Sequence, residues 1–194
     1  MTKRVCVFCG SADGVKPQYR AAAHDLGVAM AERGWTLIYG GGKVGLMGAV
    51  ADAMLKNGGK VVGIIPRALV EREVAHQGLS ELHVTDTMHQ RKGLMAEWSD
   101  AVVTLPGGFG TLDEISELVT WAQLGYHRKP LVLLNVENFF DPFLRYFDHM
   151  SDEGFIRPHH RGILVVRPDV PSTIETLETY QPPLVDKWLE KKDL

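Results

Sequence analysis

Cysteine is nearly absent from this chain, with two in 194 residues, Cys6 and Cys9. That excludes a small secreted scaffold held by disulfides. Their C-x-x-C spacing admits a redox or metal reading. A thioredoxin-type pair needs a helix N-terminus, whereas these thiols lie in Arg4-Val5-Cys6-Val7-Phe8-Cys9, a predicted strand. On a strand, an offset of three puts them on opposite faces. A zinc site would need further ligands, so buried structural thiols are the expectation. Long apolar runs are missing too: no stretch of about 18 apolar residues predicts a membrane span. Charge of one sign is not in excess, since 21 basic and 24 acidic residues give a net charge of -3. The chain as a whole is therefore no basic nucleic-acid binder. No apolar leader with a cleavage site precedes the first strand, so a cytoplasmic protein is expected. Internal repeats, low-complexity tracts and linkers are absent as well.

What is present is an ordinary globular composition, 45% hydrophobic and 23% charged, in a length that suits one domain with a sizeable core. Apolar, β-branched runs alternate with helical patterns. Predicted strands are Arg4–Cys9, Thr36–Tyr39, Lys60–Ile65, Glu81–Thr85, Ala101–Leu105, Leu131–Leu134 and Leu164–Arg167. Helices are predicted near Pro17–Arg33, Gly45–Asn57, Thr87–Trp98, Thr111–Leu124 and Phe139–Glu153. Pro17 suits a first helical turn, and Gly34 and Gly58 suit C-terminal stops. Ile115, Leu118, Val119 and Ala122 recur at helical spacing and predict one buried face. Strands apolar throughout and separated by helices imply a parallel sheet covered on both sides. The expectation is a single α/β domain, a doubly wound, Rossmann-like parallel sheet over residues 1–180, with a C-terminal tail over 181–194.

Two glycine loops follow strand ends, where ligands bind in such folds. The first, Gly40-Gly41-Gly42-Lys43-Val44-Gly45, formally matches G-x-G-x-x-G. It follows the second strand, and no acid stands about twenty residues on, so the dinucleotide reading is weak. It is no Walker loop, because Val44 follows Lys43. A tight turn for close helix packing and a wall of a nucleotide site both stay open.

The second loop is Leu105-Pro106-Gly107-Gly108-Phe109-Gly110-Thr111-Leu112-Asp113-Glu114. Its glycines let backbone N–H groups approach a ligand, and a helix start adds free donors and a positive dipole end. This predicts a phosphate cradle at Gly107, Gly108, Gly110 and Thr111. Thr111 and Glu114 also read as a plain capping box, T-x-x-E. Upstream, Met88-His89-Gln90-Arg91-Lys92 places two cations on a helix leading to the same strand. They read either as a solvated face or as a fork for carboxylate or phosphate.

These segments together resemble the LOG (LONELY GUY) family of cytokinin riboside 5′-monophosphate phosphoribohydrolases. Val7-Phe8-Cys9-Gly10-Ser11, Gly40-Gly41-Gly42 with Gly45-Leu46-Met47-Gly48, and Trp121-Ala122-Gln123-Leu124-Gly125 with His127 and Lys129-Pro130 extend the resemblance from about Val5 to Val166. It implies a Rossmann-like homodimer that cleaves the N-glycosidic bond of an adenosine-type 5′-monophosphate, without metal or redox cofactor. The family's catalytic Arg and Glu fall on Arg91 and Glu114. Its substrate-binding positions fall on Glu73, Arg91, Lys92, the run Gly108, Phe109, Gly110, Thr111, Leu112, Asp113 and Glu114, and on Thr120. Older labels call relatives lysine decarboxylases, a reading without a pyridoxal site here.

Physical reasoning agrees with the resemblance. Breaking a glycosidic bond builds positive charge on the ribose, which a preorganised carboxylate stabilises while orienting water. Glu114 fits that task. Arg91 holds its proton and so positions Glu114 and contacts the nucleotide rather than acting as an acid. Glu117 is expected to support the site, His89 and His127 to be surface or packing residues, and Trp98 and Trp121 to lie in the core or an interface. Glu73 falls in an irregular stretch that reads as a lid or an exposed loop. A general purine nucleotide nucleosidase and a non-catalytic nucleotide carrier are the alternatives, and a mere binder has no use for a carboxylate beside a phosphate.

Overall fold

The fold is taken from a computed structural model, which describes residues 2–70 and 75–182. Seven strands form one parallel sheet in the order β4-β3-β2-β1-β5-β6-β7. They are β1 (Arg4–Phe8), β2 (Thr36–Tyr39), β3 (Lys60–Pro66), β4 (Glu81–Thr85), β5 (Ala101–Thr104), β6 (Leu131–Leu134) and β7 (Leu164–Arg167). The helices are α1 (Pro17–Glu32), α2 (Gly45–Lys56), the single turn α3 (Arg67–Val70), α4 (Met88–Trp98), α5 (Phe109–Leu124), α6 (Asp141–Asp152) and α7 (Val170–Thr179). All seven predicted strands are present, with ends moved by a residue at most. Helix α7 went unpredicted because Val170-Pro171 resembles a loop. Pro171 sits in the first helical turn, where its missing N–H costs nothing, and Asp169 caps the helix through Ser172 N at 2.9 Å.

The sheet is covered on both faces, which is why its central strands are apolar without alternation. Val5 and Val7 of β1 belong to the core beneath α1, α2 and α7, with Leu26, Met30, Val50 and Ile174. Cys6 and Phe8 belong to the other core, beneath α4, α5 and α6, with Met95, Ile115, Leu118 and Phe140. Cys6 and Cys9 accordingly lie in opposite cores, both buried and free. Strand β4 breaks the apolar rule most. As an edge strand it leaves Leu82 and Val84 partly exposed, with charged Glu81 beside them.

The strand order places β1 beside β5, with Val7 opposite Val103 and Phe8 opposite Thr104. From here the chain winds outward in both directions, so the loops after β1 and β5 part and leave a crevice. Gly10 N bonds Pro106 O at 3.0 Å and closes the floor of that crevice.

Candidate functional site

Helix α5 begins at Phe109, two residues before the predicted start, with Gly108 as its N-cap in extended conformation. Thr111 is therefore inside the first turn, and no side-chain cap forms among the described residues. The capping-box reading of Thr111 and Glu114 is corrected: that chemistry sits one helix earlier. Thr87 caps α4, its Oγ1 accepting from Gln90 N at 3.1 Å while Gln90 Oε1 accepts from Thr87 N at 3.3 Å. An uncapped start leaves the first N–H donors of α5 for a ligand and keeps the positive dipole end unspent.

The two glycine loops solve different problems. A Cβ on Gly40 would lie 2.3 Å from Arg91 Nη2, so Gly40 makes room for the guanidinium. A Cβ on Gly45 would lie 2.3 Å from the Ser11 backbone, and Gly45 has φ +62°. The first loop is thus a close-packing turn and, through Gly40, a cleft wall. In the second loop Gly107 packs on Thr111, where a Cβ would meet Oγ1 at 2.1 Å. Gly108 and Gly110 face open space, with no described atom within 4 Å of where a Cβ would stand. Their missing side chains leave a hollow that the described residues do not fill.

That hollow belongs to a cleft of about 210 Å³ lined by Val7, Cys9, Gly10, Ser11, Gly40, Met47, Arg91, Met95, Gly108, Phe109, Gly110, Thr111 and Glu114. Arg91 Nη2 donates to Glu114 Oε1 at 2.9 Å, and the two residues are 9% and 8% exposed. Arg91 Nη1 contacts Met88 Sδ at 3.3 Å. Its Nε is buried without a hydrogen-bond partner among the described residues. The guanidinium is therefore held by one carboxylate and has donors to spare for an oxygen-rich ligand. Gly110 and Glu114 stand four residues apart on one helix face, about 6 Å along the axis. Cys9 lines the floor, and burial pushes its thiol far above the usual range, with the Glu114 charge adding to the effect. It is no nucleophile at neutral pH.

The predicted residues divide by position. Arg91, Gly108, Phe109, Gly110, Thr111 and Glu114 meet in the cleft. Lys92 turns away and takes Asp113 at 2.9 Å and Glu117 at 3.2 Å. Burial works against the Lys92 charge, and the hydrogen bonds with Asp113 and Glu117 outweigh it, holding the pKa above its usual value. Gly107 and Leu112 line a neighbouring apolar hollow with Phe139 and Phe143. Thr120 bonds Ser116 O and lines a third hollow with Trp121, Leu124 and Tyr126. Glu73 lies outside the described residues. His127 ties down the loop after α5, its ring facing Leu118 O at 3.1 Å and accepting from Lys129 N at 3.3 Å. Sequence reasoning did not assign Ser11, Met47 and Met95 to the site. The switch-point rule, applied to the loop after β1, points to Ser11.

A parallel sheet with an uncapped helix start at its switch point, and a buried guanidinium–carboxylate pair one turn along, defines a class: an α/β protein with a charged cleft at the carboxyl end of its sheet. Comparison with known proteins narrows the class. A family model described as "Possible lysine decarboxylase" matches residues 47–177. The chain is 48% identical over 180 residues to the cytokinin riboside 5′-monophosphate phosphoribohydrolase LOG7 of Arabidopsis thaliana, covering 93% of this chain and 83% of that one. It is 47% identical over 180 residues to the LOG enzyme of Oryza sativa, covering 93% and 74%. The chain belongs to this LOG family. Among solved structures, the molybdenum cofactor binding protein of Rippkaea orientalis superposes with a TM-score of 0.71 at 20% identity, covering 92% and 96% of the two chains. The molybdenum cofactor carrier protein of Chlamydomonas reinhardtii gives 0.70 at 19%, covering 92% and 97%. These two share the fold.

Proposed function

We propose that this chain hydrolyses the N-glycosidic bond of cytokinin riboside 5′-monophosphates, and of AMP, to free base and ribose 5-phosphate. The observation that carries the reading is the Arg91–Glu114 pair, 2.9 Å apart and buried at a cleft that opens on the uncapped start of α5. The 5′-phosphate sits on the N–H groups at Gly108, Gly110 and Thr111, giving binding energy remote from the scissile bond. The C1′–N bond breaks with its electron pair passing to the purine. Glu114 stabilises the oxocarbenium character of the ribose and orients the attacking water. Water supplies the hydroxyl to C1′, and its proton ends on the released base. Arg91 fixes the carboxylate and donates to the nucleotide. The step is a redox-neutral hydrolysis. A decarboxylase reading is disfavoured by the donor set, since no lysine is among the described lining residues to form an imine with an aldehyde cofactor.

Residues 1–180 form the catalytic domain in this reading, and the protein works in the cytoplasm; of the expected tail over 181–194, residues 183–194 lie outside the described residues. No described helix is long and apolar enough to cross a membrane. A homodimer is part of the proposal, supported by the hollow where half-buried Trp121 and Leu124 and exposed Tyr126 leave apolar surface between α4 and α5. The test is chromatography of base released from AMP and from isopentenyladenosine 5′-monophosphate, with the free nucleosides as controls. Cleavage of the monophosphates alone supports both the reaction and the cradle, and the ratio separates hormone activation from general nucleotide breakdown. Binding without release would make the protein a carrier.

A further inference from the structure

The first glycine turn has to be rigid, although three consecutive glycines make the most permissive backbone a chain can have. Arg91 leans on Gly40 so closely that a Cβ there would be 2.3 Å from Nη2. A shift of a few tenths of an ångström in Gly40 therefore moves the guanidinium, and with it Glu114. Two ties reach the turn from the segment before β4. His76 N donates to Gly41 O at 3.0 Å, and Gly42 forms an isolated antiparallel bridge with Ala75.

That segment is itself anchored by one side chain. The His76 ring is 13% exposed and bonded at both nitrogens: Nδ1 accepts from Gly78 N at 3.1 Å, and Nε2 faces Asp52 Oδ1 at 3.0 Å. An Nδ1 that accepts carries no proton, so Nε2–H is the donor to Asp52. Asp52 stands on α2, the helix that begins where the glycine turn ends. The His76–Asp52 contact thus clamps the turn between the helix that follows it and the segment that crosses it.

The geometry points to His76 and Asp52 as positioning residues for the reaction: their hydrogen bond holds the Gly40–Gly42 turn that seats Arg91 against Glu114. The inference rests on the hydrolase reading of the cleft. Neither residue lines the cleft, so neither is catalytic. The phosphate cradle on α5 is independent of them, and their loss acts on turnover rather than on substrate affinity.

The test compares Asp52→Ala, His76→Ala and His76→Gln in the full chain. Asp52 is half exposed on a helix, where alanine is the best helix former, so its variant folds. Steady-state release of base from AMP is expected to show kcat lower by about tenfold in both alanine variants, as misplacement of a catalytic group demands. KM and Tm stay near the wild-type values. His76→Gln restores most of kcat, because its amide still donates to Asp52. The Nε–H resonance of Arg91, assigned by its loss in Arg91→Lys, shifts in the alanine variants while that of Arg167 does not. Unchanged kcat, a change confined to KM, or a loss of kcat that merely follows Tm overturns the proposal. Should the wild type release no base, the hydrolase reading falls, and an unmoved Arg91 resonance overturns the positioning role separately.

Discussion

At the scale of single residues, the proposed chemistry rests on the buried Arg91–Glu114 pair. Taking a carboxylate and a guanidinium out of water costs several kcal/mol per ion, which their mutual attraction only partly offsets. Stability alone is a poor reason to keep such a pair at a cleft, and function is the better one. Glu114→Gln keeps a hydrogen bond to Arg91 and the shape of the cleft. It is expected to lower kcat by about 10²–10⁴, the usual worth of a positioned acid–base group, while isothermal titration still detects nucleotide binding. Full activity in this variant would remove Glu114 from the mechanism. Arg91→Ala removes the hydrogen bond that Nη2 donates to the Glu114 carboxylate. The cleft lets water reach it, so the variant is expected to fold with a lower Tm and weak turnover. Gly108→Ala tests the cradle separately, because its methyl group meets no described protein atom. Tm should hold while KM rises by roughly tenfold to a hundredfold, the loss of one hydrogen bond to a charged phosphate.

At the scale of elements, the site is assembled by where helices begin and how closely they pack. Helix α5 reaches back to Phe109, leaving that ring 90% exposed at the cleft mouth and turning Gly110 and Glu114 to one face. On the other side of the sheet, Gly27 of α1 lets α2 come close, since a Cβ there would be 2.6 Å from Val50 O and 2.8 Å from Ala53 Cβ. Gly27→Val is expected to cost about 1–3 kcal/mol by overpacking, read by urea denaturation. The stability of two further elements depends on pH. Burial holds the His127 pKa below its usual 6.5, helped by Lys129 and opposed by the Leu118 carbonyl. Burial, His159 and Arg157 hold the His160 pKa below 6.5 as well, and both its ring nitrogens lack partners among the described residues. Below pH 6.5 the unfolded chain binds protons that the folded chain refuses, so stability is whole above about 6.5 and falls as pH drops from there toward the folded values. Thermal melts from pH 7.5 to 5 should show this fall, and His160→Leu should flatten it. A melt independent of pH would show that neither ring is sheltered.

At the scale of the whole molecule, the sheet alone does not choose between enzyme and carrier. Proteins named as molybdenum cofactor binding or carrier proteins have the same fold at TM-scores of 0.71 and 0.70. The parallel sheet supplies a switch point, and any chain with this strand order opens a crevice there. In this chain the crevice holds the buried Arg91–Glu114 pair beside the uncapped start of α5, and the proposed hydrolysis rests on that pair. The apolar hollow at Trp121 and Tyr126 belongs to this scale too. Sedimentation is expected to give twice the chain mass of 21.5 kDa, and Trp121→Asp to shift the particle toward one chain. A single-chain particle in the wild type would remove the dimer from the proposal.

The amino-acid order by itself determined the architecture. Seven apolar runs, each as long as a strand and spaced by helices, admit little but a parallel sheet buried on both faces. It also carried Arg91 and Glu114, through the motifs around them. The two residues sit 23 positions apart, and no local period says that their side chains meet. Tertiary packing decided the rest, because contact between neighbouring helices on one face of the sheet is not written in spacing. It set the start of α5 at Phe109, where the cap moved off Thr111. It turned Lys92 toward Asp113 and Glu117, because that helix face looks along α5 rather than into the cleft. It also seated Arg91 on Gly40, whose glycine is explained only by the guanidinium that fills the space.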